Sequence, residues 1–68
     1  MKILLVGSGA REHALTRTLL RDPAVDGIVA VPGNPGILAE DRVHGPSGSV
    51  DILDGAAIAE LAGAEGVD

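Results

Sequence analysis

Residues 3 to 6 read Ile-Leu-Leu-Val, an unbroken apolar run after one lysine, and Gly27 to Val31 repeats the pattern as Gly-Ile-Val-Ala-Val. Apolar runs without alternation mark strands covered on both faces, as in a parallel sheet. They predict a first strand from Lys2 to Val6 and a second from Gly27 to Val31. Between them a helical spacing takes over, from about Ala10 to Arg21. At about 100° per residue, Ala14, Leu15, Thr18 and Leu19 gather on one face. Asp22-Pro23 then ends the helix. Strand, helix and strand within about thirty residues make a βαβ unit, whose crossover is right-handed in nearly all cases.

Beyond Val31 the punctuation is denser. Pro32-Gly33-Asn34-Pro35-Gly36 reads as a rigid loop, followed by a short helical turn at Ile37 to Glu40. Arg42 to His44 is a candidate short strand, and residues 45 to 49, Gly-Pro-Ser-Gly-Ser, form a loop. Asp54 is a good N-cap for a helix through about Ala64, with Ile58, Leu61 and Ala62 as its apolar stripe and Gly66 at the C′ position. In an alternating α/β order, Val67-Asp68 should lead into a further strand. The 68 residues are therefore expected to be the front of a longer protein, without internal repeats or linkers. The expected fold class is α/β, a truncated parallel sheet with strand one beside strand two and helices flanking it.

Composition narrows the classes of function. The chain is 46% hydrophobic yet has no aromatic residue and no cysteine, so its core must be built from small branched side chains without disulfides or thiolate metal sites. A chain this short buries only about 60% of its unfolded surface, which makes independent stability doubtful. The net charge of −5 argues against a nucleic-acid partner, because a phosphate backbone needs a basic stripe. No apolar run approaches the ~20 residues that span a membrane. Met1-Lys2 opens directly into a strand rather than a signal peptide, so a cytoplasmic protein is expected. His13 and His44 lie too far apart in sequence to form a local metal motif.

The most informative segment is Gly7-Ser8-Gly9-Ala10-Arg11-Glu12-His13, where the first strand turns directly into the first helix. Such a turn aims backbone N–H groups and the positive end of a helix dipole over the sheet's C-terminal edge, a place that attracts phosphate or carboxylate. A dinucleotide-binding loop would need a third glycine where Glu12 stands, and an acid at the end of the second strand, which reads Val31-Pro32-Gly33. Both are missing, and so are the lysine and Ser/Thr of a Walker loop. Arg11 is a cation in the first helical turn, where the dipole disfavours one, and it falls on the side of Ala14, Leu15 and Thr18. One reading has it reaching over the sheet edge to a ligand; the other pairs it with Glu40 or Asp41. Glu12 is favoured in a first turn whatever its function. His13 points to another side, either to bind substrate or to cap a neighbouring loop. Asn34 has a donor and an acceptor to offer to a ligand or to its own turn. No nucleophile or paired-carboxylate site is evident.

The string GSGAREHAL (Gly7 to Leu15), the string VPGNPG about twenty residues later (Val31 to Gly36), and the closing segment Asp51 to Asp68 resemble the phosphoribosylamine–glycine ligase family along the whole chain and in the right order. The resemblance implies an N-terminal, Rossmann-like (pre-ATP-grasp) part of an ATP-grasp ligase. Such an enzyme joins glycine to 5-phosphoribosylamine in purine synthesis, using ATP and Mg2+ (or Mn2+). It also implies that ATP and the metal are held by ATP-grasp domains beyond these residues, and that this part alone is inactive. On the matched positions it implies substrate binding by Gly9, Ala10, Arg11, Glu12 and His13 in the first loop, and by Asn34, Pro35 and Gly36 in the second. Ala10 departs from the glycine of many members. Two other readings stay open: an NAD(P)- or FAD-binding module of an oxidoreductase, and a non-catalytic structural or interface module.

Overall fold

The computed structural model describes residues 1–46 and 50–68. Its elements are β1 (Lys2–Gly7), α1 (Ala10–Leu20), β2 (Gly27–Pro32), α2 (Pro35–Leu38), β3 (Val43–His44) and α3 (Gly55–Glu65). The three strands form one parallel sheet in the order β1-β2-β3. This is the expected α/β architecture, and the two expected strands each run one residue past their expected ends, to Gly7 and Pro32. The expected loop over residues 45 to 49 lies in part outside the described residues.

Register explains why the strands are apolar throughout. Ile3 pairs with Ile28 and Leu5 with Ala30, while Val43 pairs with Ile28 from the other side, so these residues share one face. There they form the core with Val25 and with Ile37 of α2, and Leu19 and Leu20 of α1 pack against it. The opposite face carries Leu4 beside Val29 and Val6 beside Val31. The α3 side lies there: Glu65 Oε1 is 3.5 Å from Lys2 Nζ and 3.4 Å from His44 Nε2, two residues of that face. Val29 and Val31 are fully buried, whereas Val6 on the edge strand is 42% exposed. At the same edge the Asp68 N–H donates to the Lys2 carbonyl at 2.9 Å, and the Lys2 N–H donates to Asp68 Oδ2 at 2.7 Å.

Two expectations need correction. The packed side of α1 is not the Ala14, Leu15, Thr18 and Leu19 face: Ala14 and Thr18 are exposed and Leu15 is 48% exposed. The helix instead turns Glu12, His13, Thr16, Leu19 and Leu20 inward. Thr16 passes as an apolar residue because its hydroxyl donates to the Glu12 carbonyl at 2.8 Å, within the helix. The second correction is α2, which begins at Pro35 rather than Ile37. Asn34 is its N-cap, accepting the Ile37 N–H on Oδ1 at 2.9 Å, and Pro35 at the first helical position has a fixed φ and no N–H to leave unpaired.

The third helix follows its sequence signals closely. Asp54 Oδ1 accepts from the N–H groups of Ala56 and Ala57 at 3.0 and 3.3 Å, and Gly66 closes the helix in the left-handed region at φ 67°. Ile58, Leu61 and Ala62 face inward but stay half-buried, and no residue of α3 is fully buried.

Candidate functional site

Two loops meet at the C-terminal edge of the sheet, residues 7 to 9 after β1 and 32 to 36 after β2. In the first, Gly7 stands at φ 150°, and a Cβ there would lie 2.3 Å from Glu12 Cγ. The space is taken because the Glu12 side chain folds back over the turn and accepts the Gly9 N–H on Oε2 at 3.1 Å. This is half of a capping box, since glycine has no side chain to return the bond. Glu12 thus occupies the ground that a third glycine opens in a dinucleotide-binding turn.

The first helical rung is the His13 N–H to the Gly9 carbonyl, at 3.1 Å. With Gly9 satisfied by Glu12, the amides of Ala10, Arg11 and Glu12 remain as the donors at the helix start. The Gly9 N–H is thus engaged inside the turn. Gly9 contributes shape, and Ala10 the first outward amide.

The second loop is fastened to the first. Asn34 Nδ2 donates to the Ser8 carbonyl at 2.6 Å, and the Gly33 N–H donates to the Gly7 carbonyl at 3.0 Å. Both polar ends of Asn34 are thus engaged with the chain itself, and one N–H of its amide is left. Pro35 and Gly36 lie exposed beside it.

Arg11 is exposed and makes no ion pair among the described residues. The two carboxylates considered as its partners are engaged elsewhere. Glu40 lies 3.3 Å from His13 Nε2 and 3.9 Å from Arg17 Nε, and Asp41 lies 3.7 Å from Arg42 Nε. Arg11 sits on the exposed side of α1, and its guanidinium makes no hydrogen bond or ion pair among the described residues. Helix dipole and arginine add positive potential at the same edge, and Glu12 offsets part of it on the Gly9 side.

Among the described residues no three His, Cys, Asp or Glu side chains gather to hold a metal ion. His13 and His44 each face a different glutamate. A groove of about 260 Å³ runs along α3, lined by Val50, Asp51, Ala57, Glu60, Leu61 and Ala64, and shares no residue with the two loops. No helix among the described residues is long and apolar enough to cross a membrane.

Parallel pairing of β1 with β2 places Gly9, Ala10, Arg11, Glu12 and His13 at the same sheet edge as Asn34, Pro35 and Gly36. The sequence reading missed three supports. Glu12 follows Gly9 at capping-box spacing, Asn34-Pro35 is an N-cap followed by a first-turn proline, and Glu40 is the partner of His13 rather than of Arg11. The first two signals are visible in the chain; the third depends on how α1 is rotated.

All 68 residues match the phosphoribosylglycinamide synthetase N domain. The phosphoribosylamine–glycine ligase of Streptomyces coelicolor is 48% identical over 68 residues, covering 100% of this chain and 15% of that protein. That of Agrobacterium fabrum is 43% identical over 68 residues, with the same coverage. That of Mycobacterium leprae is 50% identical over 64 residues, 91% of this chain and 14% of that protein. The chain spans about 15% of the length of such relatives. With a match along its whole length, an α/β sheet, and the two glycine-rich loops joined at one edge, the chain belongs to the phosphoribosylglycinamide synthetase N-domain family.

Proposed function

We propose that this chain forms one wall of the phosphoribosylamine site in a ligase that joins glycine to 5-phosphoribosylamine at the expense of ATP. The observation that carries this reading is the helix start: the amides of Ala10, Arg11 and Glu12 and an Arg11 side chain without an ion pair among the described residues share one edge with the Asn34–Gly36 loop. Amides and a guanidinium in that setting suit the phosphate or ribose hydroxyls of such a substrate. Their work is positioning and charge neutralisation, not proton transfer.

ATP and Mg2+ (or Mn2+) belong on this reading to ATP-grasp domains of the same protein, expected to be cytoplasmic. On this reading no step of the ligation is assigned to this chain's residues. By itself the chain is a binding wall without catalytic activity.

The oxidoreductase reading is disfavoured by Glu12, whose side chain fills the turn that a dinucleotide pyrophosphate approaches, and by Pro32-Gly33 at the end of β2. Saturable micromolar NADH binding to a full-length ligase carrying this domain would restore it. The deciding variant is Arg11→Ala in that full-length enzyme. It is expected to raise the KM for phosphoribosylamine tenfold or more with the KM for ATP unchanged, a loss of about 1.4 kcal/mol per factor of ten. An unchanged KM for phosphoribosylamine would leave only a structural or interface role.

A further inference from the structure

His13 lies under the second loop. A Cβ placed on Gly36 would stand 2.9 Å from His13 Cε1 and 3.2 Å from Nδ1, so the imidazole edge is in direct contact with the loop backbone. The φ of Gly36 is not positive, and its lack of a side chain is needed for this close approach rather than for backbone freedom. The ring's other nitrogen, Nε2, faces Glu40 Oε1 at 3.3 Å, just past the end of α2. Glu40 also has Arg17 Nε at 3.9 Å, which leaves the carboxylate between two groups of α1. His13 and Glu40 are each about 70% buried, with side chains 30% and 28% exposed. The contacts therefore tie Gly36, in the first turn of α2, and Glu40, two residues past its end, to a single residue on the first turn of α1.

We propose that His13 is a positioning residue, oriented by Glu40, whose ring supports the Asn34–Gly36 loop and sets its spacing from the Ala10–Arg11 helix start. This rests on the reading of that edge as the phosphoribosylamine wall. It assigns His13 a role through the loop rather than on the substrate, and it gives Glu40 a part in substrate affinity although it lies outside both loops. A carboxylate on Nε2–H fixes ring orientation in the manner of an outer-shell partner of a ligand-binding histidine.

The test is a double-mutant cycle in a full-length ligase carrying this domain, reading the KM for phosphoribosylamine with the KM for ATP as the folding control. Gly36→Ala drives a methyl group into the ring and is expected to raise the KM about tenfold; His13→Ala, by removing the support, raises it by a similar factor. In the double variant the collision is gone, so the KM is expected to stay near that of His13→Ala alone rather than rise by the product of the two factors. Glu40→Gln removes no volume and keeps the fold, and is expected to raise the same KM three- to fivefold. Multiplicative effects in the cycle, or a wild-type KM in Glu40→Gln, would overturn the proposal. Its failure is separable from failure of the underlying reading: Arg11→Ala still raises the KM in the first case and does not in the second.

Discussion

Arg42 adopts φ 63°, a conformation that is costly for any residue other than glycine. It is held there by what its side chain gains: the guanidinium donates to the carbonyls of Val25 at 2.7 Å and Leu20 at 2.6 Å. Those carbonyls lie at the entry to β2 and at the end of α1, so one residue closes the bottom of the crossover. Its own carbonyl accepts the Ile28 N–H at 2.9 Å, which starts the pairing of β2 with β3. Charge-assisted hydrogen bonds contribute roughly 1.5–3 kcal/mol each, less where the group is part-exposed as here. Arg42→Ala is expected to destabilise the chain by about 2 kcal/mol in urea unfolding, and Arg42→Lys to recover less than half, because a single ammonium lacks the planar fork. An Arg42→Ala variant within 0.5 kcal/mol of wild type, on the order of ordinary surface substitutions, would remove this account. In the sequence Arg42 is one cation of five, and nothing local marks it as structural.

At the scale of elements, legibility followed how much of an element's signal is local. The N-cap of α3 is a side chain bonding to the next turn and its C-terminal signal is one glycine, so both ends were readable within a residue. The inward face of α1 was not, because polar residues occupy it. Glu12 is drawn in by the turn, His13 by the second loop, and Thr16 satisfies its hydroxyl on its own helix. The four-residue α2 depends most on a single side chain. Asn34→Ala removes both the cap on Ile37 and the bond to Ser8, and should cost about 1–2 kcal/mol. Asn34→Asp keeps the cap acceptor and loses only the Ser8 bond, so its thermal midpoint should fall between wild type and the alanine variant. Equal midpoints for the two variants would show that the cap carries none of the effect.

For the whole molecule, stability is unevenly spread. Ile28, Val29 and Ala30 of β2 are fully buried between two neighbours and both faces, whereas α3 has no buried residue and is held partly by Lys2 and His44 on Glu65 and by Asp68 on β1. Hydrogen exchange is expected to be faster in α3 than in β2, by about a hundredfold for the central amides, because opening of a loosely packed element precedes global unfolding. Uniform protection across both would contradict this. The residues that precede β1 and β2 also meet electrostatically. The Met1 amino group hydrogen-bonds Asp26, which raises the amino pKa above its ordinary value and holds the Asp26 carboxyl below its own. A raised base stabilises fully below its unfolded pKa and loses that contribution as pH rises through the folded one. A depressed acid does so above its unfolded pKa and loses it as pH falls through the folded one. The pair therefore contributes between about pH 4 and pH 8, and fades outside that window. Both groups are at the surface, so the effect is small and screened by salt. The difference in Tm between wild type and Asp26→Asn should be largest near the middle of that range at low salt, and a difference independent of pH would discount the pair.

The βαβ order, the parallel sheet, the caps of α3 and the two glycine-rich loops are legible in the chain alone. These depend on unbroken apolar runs, local side-chain-to-backbone bonds and backbone freedom at fixed positions, all of which are encoded within a few residues. The tertiary structure alone decided the rotation of α1, the distant partners of Glu40 and Arg42, and the engagement of the Asn34 amide with Ser8. Those outcomes depend on groups twenty or more residues apart arriving at the same place: Asn34 at Ser8, Glu40 at His13, Arg42 at Leu20. Arg11 stands out in the sequence for being in the wrong place on a helix, and the fold leaves it without an ion pair among the described residues, with Glu40 beside His13 and Asp41 beside Arg42.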